Sequence, residues 1–302
     1  MKNILKNIVS IVIIIFMSAN AIGQNNSISD LNVEEKRTRK KKRNKKIKLP
    51  KIDLSHWKVT IPEGKSNGRP YEFQPPEIFD YANNTLLKKY MYNDSIKGAL
   101  VFYATPQVTT SNTKYSRSEL REQMKPGDNT VNWTFKEGGR MKGKLSIGEI
   151  SKNKKGEYHK TIVMQIHGRL TNEQKELIGQ KDNNAPPILK IYWKNGKIRV
   201  KTKVLKNLNA TDKELLHKDA WGDDKGFTFK EKVGFKKFTL EVKVTDGKMV
   251  VSLNNNEFKV YDNVHMKRWR IFENYFKAGN YFQTRDKEAY AKVNYYELKI
   301  SH

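Results

Sequence analysis

Two dipeptides, Asn195-Gly196 and Asp246-Gly247, constrain this chain more than any other feature, because each stands between two runs of alternating apolar and polar residues. The first separates ILKIYWK from KIRVKTK, and the second separates FTLEVKV from KMVVSLN. A two-residue hairpin turn needs positive φ, which glycine adopts freely and Asn or Asp tolerates. Alternation with a period of two sends one row of side chains to a core and the next to the outside. Both places therefore predict antiparallel hairpins. From Pro50 onward the same grammar continues, short alternating segments between closely spaced turn signals, with few helical stripes. That pattern predicts an all-β domain, a sandwich of two antiparallel sheets or a jelly roll. Short helices are expected only in connections, near residues 76–81, 172–178 and 212–217.

The front end is of another kind. Lys2 and Lys6 precede an apolar run from Ile8 to Met17, and Ala19-Asn20-Ala21 supplies small residues at cleavage spacing, so residues 1–23 read as a secretory signal peptide. The run is too short for a transmembrane helix, which needs about 20 apolar residues, so no integral membrane span is expected. Residues 24–49 read as a disordered basic linker: KRTRKKKRNKKIK at 36–48 holds ten Lys and Arg residues. Behind an export signal this run is expected to be a solvated tail or a tether to anionic glycan rather than a nucleic-acid arm. The protein is thus expected to be secreted, extracellular or periplasmic, from a bacterium. Having no cysteine, it must be held by its core alone.

The formal net charge of +27 points to a polyanionic partner. Setting aside residues 1–48 leaves 47 basic residues against 29 acidic ones, so the domain at 50–302 is itself basic.

Three segments of that domain aim polar groups to one side. In TIVMQIH (161–167), Ile162, Met164 and Ile166 share a face, leaving Gln165 and His167 together on the other. In YSRSELREQ (115–123), Arg117, Glu119 and Arg121 share a face, and the central carboxylate is placed to orient both guanidinium groups. In YFKAGNYFQ (275–283), Tyr275, Lys277, Gly279, Tyr281 and Gln283 alternate against Phe276, Ala278, Asn280 and Phe282. Each strand alone reads as a solvated or half-packed face. Together they form a site only if the three are neighbours in one sheet. No alternating acidic run supplies the paired carboxylates of a strand-borne glycoside hydrolase; Asp223 and Asp224 are adjacent and point to opposite faces. Zinc-ligand spacing and a phosphate-cradling glycine loop are also missing.

These segments closely resemble the alginate lyases of polysaccharide lyase family 7, which carry an R-S/T-E-L-R strand, a Q-I/V-H strand and a Y-F-K-A-G-x-Y-x-Q strand in this order. The opening IDLSHWKVTIP at 52–62 is similar as well, so the resemblance spans about residues 50–302. It implies a β-jelly roll with a concave substrate groove, cleavage of alginate by β-elimination, and catalytic roles for Arg117, Gln165, His167 and Tyr281. It also implies substrate-binding or supporting roles for Glu119, Arg121, Lys277 and Gln283. Ile166 in the Q-x-H position implies a preference for guluronate-containing blocks. Elimination needs no metal or organic cofactor, so none is expected; structural calcium is left open, and the protein is expected to act as a monomer. Cations near Tyr281 are expected to pull its pKa down toward working pH. The rival from another class is a noncatalytic jelly-roll module that binds acidic glycan.

Overall fold

The computed structural model describes residues 47–110 and 113–302. The expected leader and nearly all of the basic linker lie outside those residues. Among the described residues no helix is long and apolar enough to cross a membrane.

Residues 47–302 form one compact unit built from two sheets. In the larger sheet the central order runs Asn184–Lys194, Thr161–Arg169, Glu273–Phe282, Arg117–Glu122, Trp57–Gly64 and Pro70–Phe73. The smaller sheet centres on Phe238–Thr245, Gly139–Ile150, Ala291–Ser301 and Ala99–Ala104. All of these neighbours pair antiparallel; the two-residue Lys51–Ile52 strand pairs parallel with Ala291–Ser301. This is the jelly-roll sandwich that the alternation and the resemblance predict.

Both hairpins form, the first with both turn residues at positive φ and the second with glycine alone there. Lys194 faces Lys197 across Asn195-Gly196, with φ of 49° and 83° at the two turn residues. Thr245 faces Lys248 across Asp246-Gly247, where only Gly247, at φ 71°, enters the left-handed region. The three connections expected to be helical hold a 3-10 turn at Glu77–Asp80 and short α-helices at Asn172–Leu177 and Asp212–Leu215. Each α-helix opens with a capping box, Thr171 with Gln174 and Thr211 with Glu214, so the first-turn amides have partners in helices too short to persist alone.

The inner faces interlock around Trp57, Trp133, Trp193, Trp269, Tyr295 and Phe276, all fully buried. Such aromatics bury about 150 to 250 Å² apiece, and their burial takes the place of the disulfides that this chain lacks. Gly143 is a point of close approach, where an added Cβ would lie 2.4 Å from the terminal methyl of Met164 in the other sheet. Tyr295 ties the sheets with polar contacts, its hydroxyl donating to the carbonyl of Val163 and accepting from the N–H of Gly279 at 3.3 Å.

Candidate active site

The three polar-faced strands are neighbours. Glu273–Phe282 lies between Thr161–Arg169 and Arg117–Glu122, with Lys277 opposite both Gln165 and Arg121, Tyr275 opposite His167, and Tyr281 opposite Arg117. The condition set by the sequence is met, and the outward rows merge into one polar surface.

Glu119 is at its centre with no exposure to solvent. Its carboxylate accepts from Gln165 Nε2 at 2.6 Å, Lys277 Nζ at 2.5 Å and Arg117 Nη1 at 3.1 Å. A buried carboxylate is costly unless paired and hydrogen-bonded, and three donors from three strands meet that cost here. They hold it ionised: burial pushes its pKa up, but Lys277 and Arg117 outweigh that and the net shift is downward. The expectation that Glu119 would orient both arginines holds only for Arg117. Arg121 turns away, donating to the carbonyls of Glu122 at 2.5 Å and Asn129 at 3.0 Å and to Asn132 Oδ1 at 2.8 Å, with its guanidinium 4.0 Å over the Tyr275 ring. Lys277 takes the place beside Glu119 that the sequence reading gave to Arg121, because the carboxylate reaches across the ladder and not only along its own strand.

His167 stacks on Tyr275 at 5.3 Å between ring centres. Its Nδ1 lies 2.9 Å from the carbonyl of Gly168, which can only accept, so Nδ1 carries the proton and Nε2 keeps its lone pair. Burial, then the charges of Lys277, Arg117 and Lys190, push its pKa down to about 3 against a hydrogen bond that raises it. A neutral imidazole at working pH follows. Lys277 is likewise pushed down to about 8, by burial first and Arg117 second, with Glu119 opposing.

Tyr281 lies under Arg117, whose guanidinium carbon is 4.0 Å from the ring centre. Its pKa moves opposite to the expectation drawn from its cationic neighbours: burial raises it by more than Arg117 lowers it. The phenol therefore keeps its proton at neutral pH. Gln283, two residues on, donates to the Tyr281 carbonyl at 3.2 Å.

A local irregularity sets the position of Tyr281. The ladder to Thr161–Arg169 shifts register between Ala278 and Tyr281, and Gly279 within that shift has φ 139°. A Cβ there would lie 2.7 Å from the Ser118 carbonyl oxygen. Buried Asn280 pins the bulge, accepting from Thr161 Oγ1 at 2.7 Å and donating to the carbonyls of Phe102 and Ala291. Gly279→Ala is expected to destabilise the fold by about 2 kcal/mol or more and to lower activity further by displacing Tyr281. Urea denaturation and turnover on the same preparation would measure both.

The surface opens into a cavity of about 520 Å³ lined by Arg117, Arg121, His167, Tyr275 and Lys277, and by flanking Lys58, Glu72 and Lys203 that the motif strands did not reveal. Glu72 accepts from Lys58 at 2.8 Å and from Thr60 at 3.1 Å. Lys190 faces Gln165 across the ladder and adds its charge to the field at His167. Alternation in ILKIYWK marks Lys190 as outward-facing, but only the sheet order brings it beside the site. Among the described residues no group of three or more His, Asp or Glu side chains is placed to hold a metal ion.

What the surface offers is one buried carboxylate organising Arg117, Lys277 and Gln165, with a neutral imidazole lining the cavity and a protonated phenol under Arg117 farther along the same strand face. Such an array suits an anionic substrate from which a proton is removed. Residues 52–302 match the family profile described as alginate lyase. Alginate lyase A1-II', a member of polysaccharide lyase family-7, is 29% identical with a TM-score of 0.64, covering 83% of this chain and 96% of that one. A variant of A1-II' in complex with substrate (GGMG) is 28% identical with a TM-score of 0.64, covering 83% and 94%. The alginate lyase from Klebsiella pneumoniae, 20% identical with a TM-score of 0.58 over 83% and 97%, shares the fold. No curated protein matches the chain significantly in sequence. The family match sets aside the noncatalytic glycan-binding module, and the chain belongs to the alginate lyases of polysaccharide lyase family 7, enzymes that cleave alginate.

Proposed function

We propose that this lyase eliminates across C4 and C5 of a uronate, with Arg117 and Gln165 on the sugar carboxylate, His167 as base and Tyr281 as acid. Removing the C5 proton pushes a second negative charge onto a carboxylate that already carries one. The observation that carries the reading is Arg117: one nitrogen is held by Glu119, while Nη2 is buried and has no hydrogen-bond partner. An unmet guanidinium N–H in a cation-rich cavity is matched by a carboxylate oxygen. Gln165 spends one amide N–H on Glu119 and has a second for the substrate. Both would stabilise charge as it spreads in the transition state. His167 Nε2 takes the C5 proton, the C4–O bond breaks as the C4–C5 double bond forms, and Tyr281 protonates the departing oxygen.

Arg117→Lys keeps the charge but loses the fork. It is expected to lower kcat by about 100- to 1000-fold, read as ultraviolet absorbance of the unsaturated uronate. Turnover within a few-fold of wild type would remove Arg117 from the carboxylate.

The finer reading is that guluronate-containing blocks are preferred. It is supported by Ile166, which is fully buried behind the Gln165–His167 row and acts only through its packing. It is also supported by the product complex (GGG) of A1-II', 28% identical to this chain. Comparing initial rates on polyguluronate and polymannuronate tests it. Export rests on Lys2, Lys6 and the apolar run behind them; N-terminal sequencing of the exported protein, expected to begin near Gln24, is the check.

A further inference from the structure

The outer face of the smaller sheet carries a second organised cation cluster, one the elimination does not use. Met141, Gly143 and Leu145 on Gly139–Ile150 face the core, so Arg140, Lys142 and Lys144 project outward at intervals of about 6.7 Å. Lys142 is opposite Glu241 on one side and Lys299 on the other. Although it belongs to this outward row, Glu241 is only 6% exposed, because cations cover it. Arg140 grips it through Nε and Nη2, both at 3.1 Å, with Lys243 at 3.2 Å and Lys142 at 3.5 Å. One carboxylate offsets one of these three charges and fixes the directions of all three. Lys144 and Lys299 are exposed, and among the described residues neither is in an ion pair. Arg140, Lys142, Lys144 and Lys299, with Thr239, Asn255 and Ser301, line a cavity of about 480 Å³ in which Glu297 is the one acidic side chain.

We infer that this cluster is a second, noncatalytic binding site for a uronate-bearing polysaccharide chain. Beyond the three cations gathered on Glu241, Lys144 and Lys299 carry the positive charge farther across the sheet, which suits a linear polymer with charges at intervals. A hydroxyl and an amide stand among them to meet sugar hydroxyls. No aromatic side chain lines the cavity, so the stacking on which single-stranded nucleic acid relies is missing. Pre-organisation by Glu241 sets the cluster apart from scattered surface lysines, whose ordering entropy would have to be spent on binding. The choice of a uronate polymer rests on the alginate-cleaving assignment. Since the two sheets pack their inner faces together, the groove and this cluster open on opposite sides of the sandwich. One long chain wrapping the domain, or two chains bridged by it, can occupy both.

The test uses full-length protein and Lys144→Glu/Lys299→Glu, both exposed positions outside the catalytic groove. Retention in gels containing polymeric alginate is measured in a His167→Ala background, so that the polymer is not cut. Turnover of an alginate tetrasaccharide is measured with His167 present. The double variant is expected to bind polymer roughly tenfold more weakly or worse, because a second attachment raises the avidity of a chain held at two points. Tetrasaccharide turnover is expected to be unchanged. Lys154→Glu/Lys155→Glu, an equal charge change in an exposed turn, is expected to retain polymer binding. Wild-type retention in the double variant, equal loss in the control, or equally tight retention of the parent by duplex DNA would each overturn the second site. Absence of tetrasaccharide turnover in the wild type would count against the lyase assignment instead, with the retention comparison still deciding the second site.

Discussion

Replacing His167 with alanine is expected to lower kcat/KM on guluronate blocks by about 100- to 10,000-fold, the usual worth of a positioned general base. Circular dichroism is expected to be unchanged, because the imidazole contributes one ring stack and one hydrogen bond to a site whose frame is Glu119. Turnover within tenfold of wild type would reassign the base. The pH profile separates this role from a structural one. An ordinary imidazole would lose its lone pair as pH fell through 6.5, whereas His167 keeps it down to about 3. The kcat/KM of the wild type is therefore expected to show no acid inflection near 6.5. The stability effect has the opposite sense: between 6.5 and about 3 the unfolded chain accepts a proton that the folded His167 refuses, so this group withdraws stability as pH falls. His167→Ala removes that contribution, and its denaturation midpoint is expected to fall less steeply with pH over the same window.

Glu119→Ala is expected to be the more damaging change to the fold, by about 3 to 5 kcal/mol, the loss seen when one partner of a buried ion pair is removed. Arg117 and Lys277 would then face each other inside the sheet with no counter-charge between them, and the Gln165 amide would lose its acceptor. Against a usual total of about 5 to 15 kcal/mol this is a large share, read as a lower urea midpoint. Lys277, at about 8 even with Glu119 present, would drop further and shed its proton more readily. The loss is therefore expected to be greatest at low pH, where Lys277 stays charged, and smaller toward pH 8. Glu119→Gln keeps the volume but not the charge, so a similar loss in both variants would assign the effect to electrostatics. A shift below about 1 kcal/mol would mean that solvent reaches the site and screens it.

Period-two alternation and turn chemistry are local properties, which is why the sandwich and both hairpins were readable from Asn195-Gly196, Asp246-Gly247 and their flanks. The faces of Gln165 with His167, and of Arg117 with Glu119, were legible for the same reason. Sheet order is not local. Alternation marks Lys190, Lys58 and Glu72 as outward, yet nothing in a strand's own residues says which strand pairs beside it. The partner of Glu119 differs on that account: along the strand Arg121 is as near as Arg117, but Lys277, diagonal to Glu119 on the neighbouring strand, reaches the carboxylate at 2.5 Å while Arg121 turns away. The direction of the Tyr281 shift was missed because counting neighbouring cations leaves out burial, which here is the larger influence. The bulge that seats Tyr281 has one visible trace, a glycine in a strand, and its register comes from Asn280 and Thr161, 119 positions apart.

The order in which the chain is made gives Glu273–Phe282 a particular place. This strand fills the gap between two strands synthesised more than 100 residues earlier, and it supplies Lys277 and Tyr281 itself. Until it emerges, the strand bearing Gln165 and the strand bearing Arg117 have no common neighbour, and Glu119 has no lysine. Contacts so distant in sequence close late and slowly. A nascent or truncated chain ending before residue 273 lacks Ala291–Ser301 as well, so in each sheet two strands miss their shared neighbour and the proposed catalytic centre is incomplete; activity is therefore expected to appear near the end of folding and to report its completion.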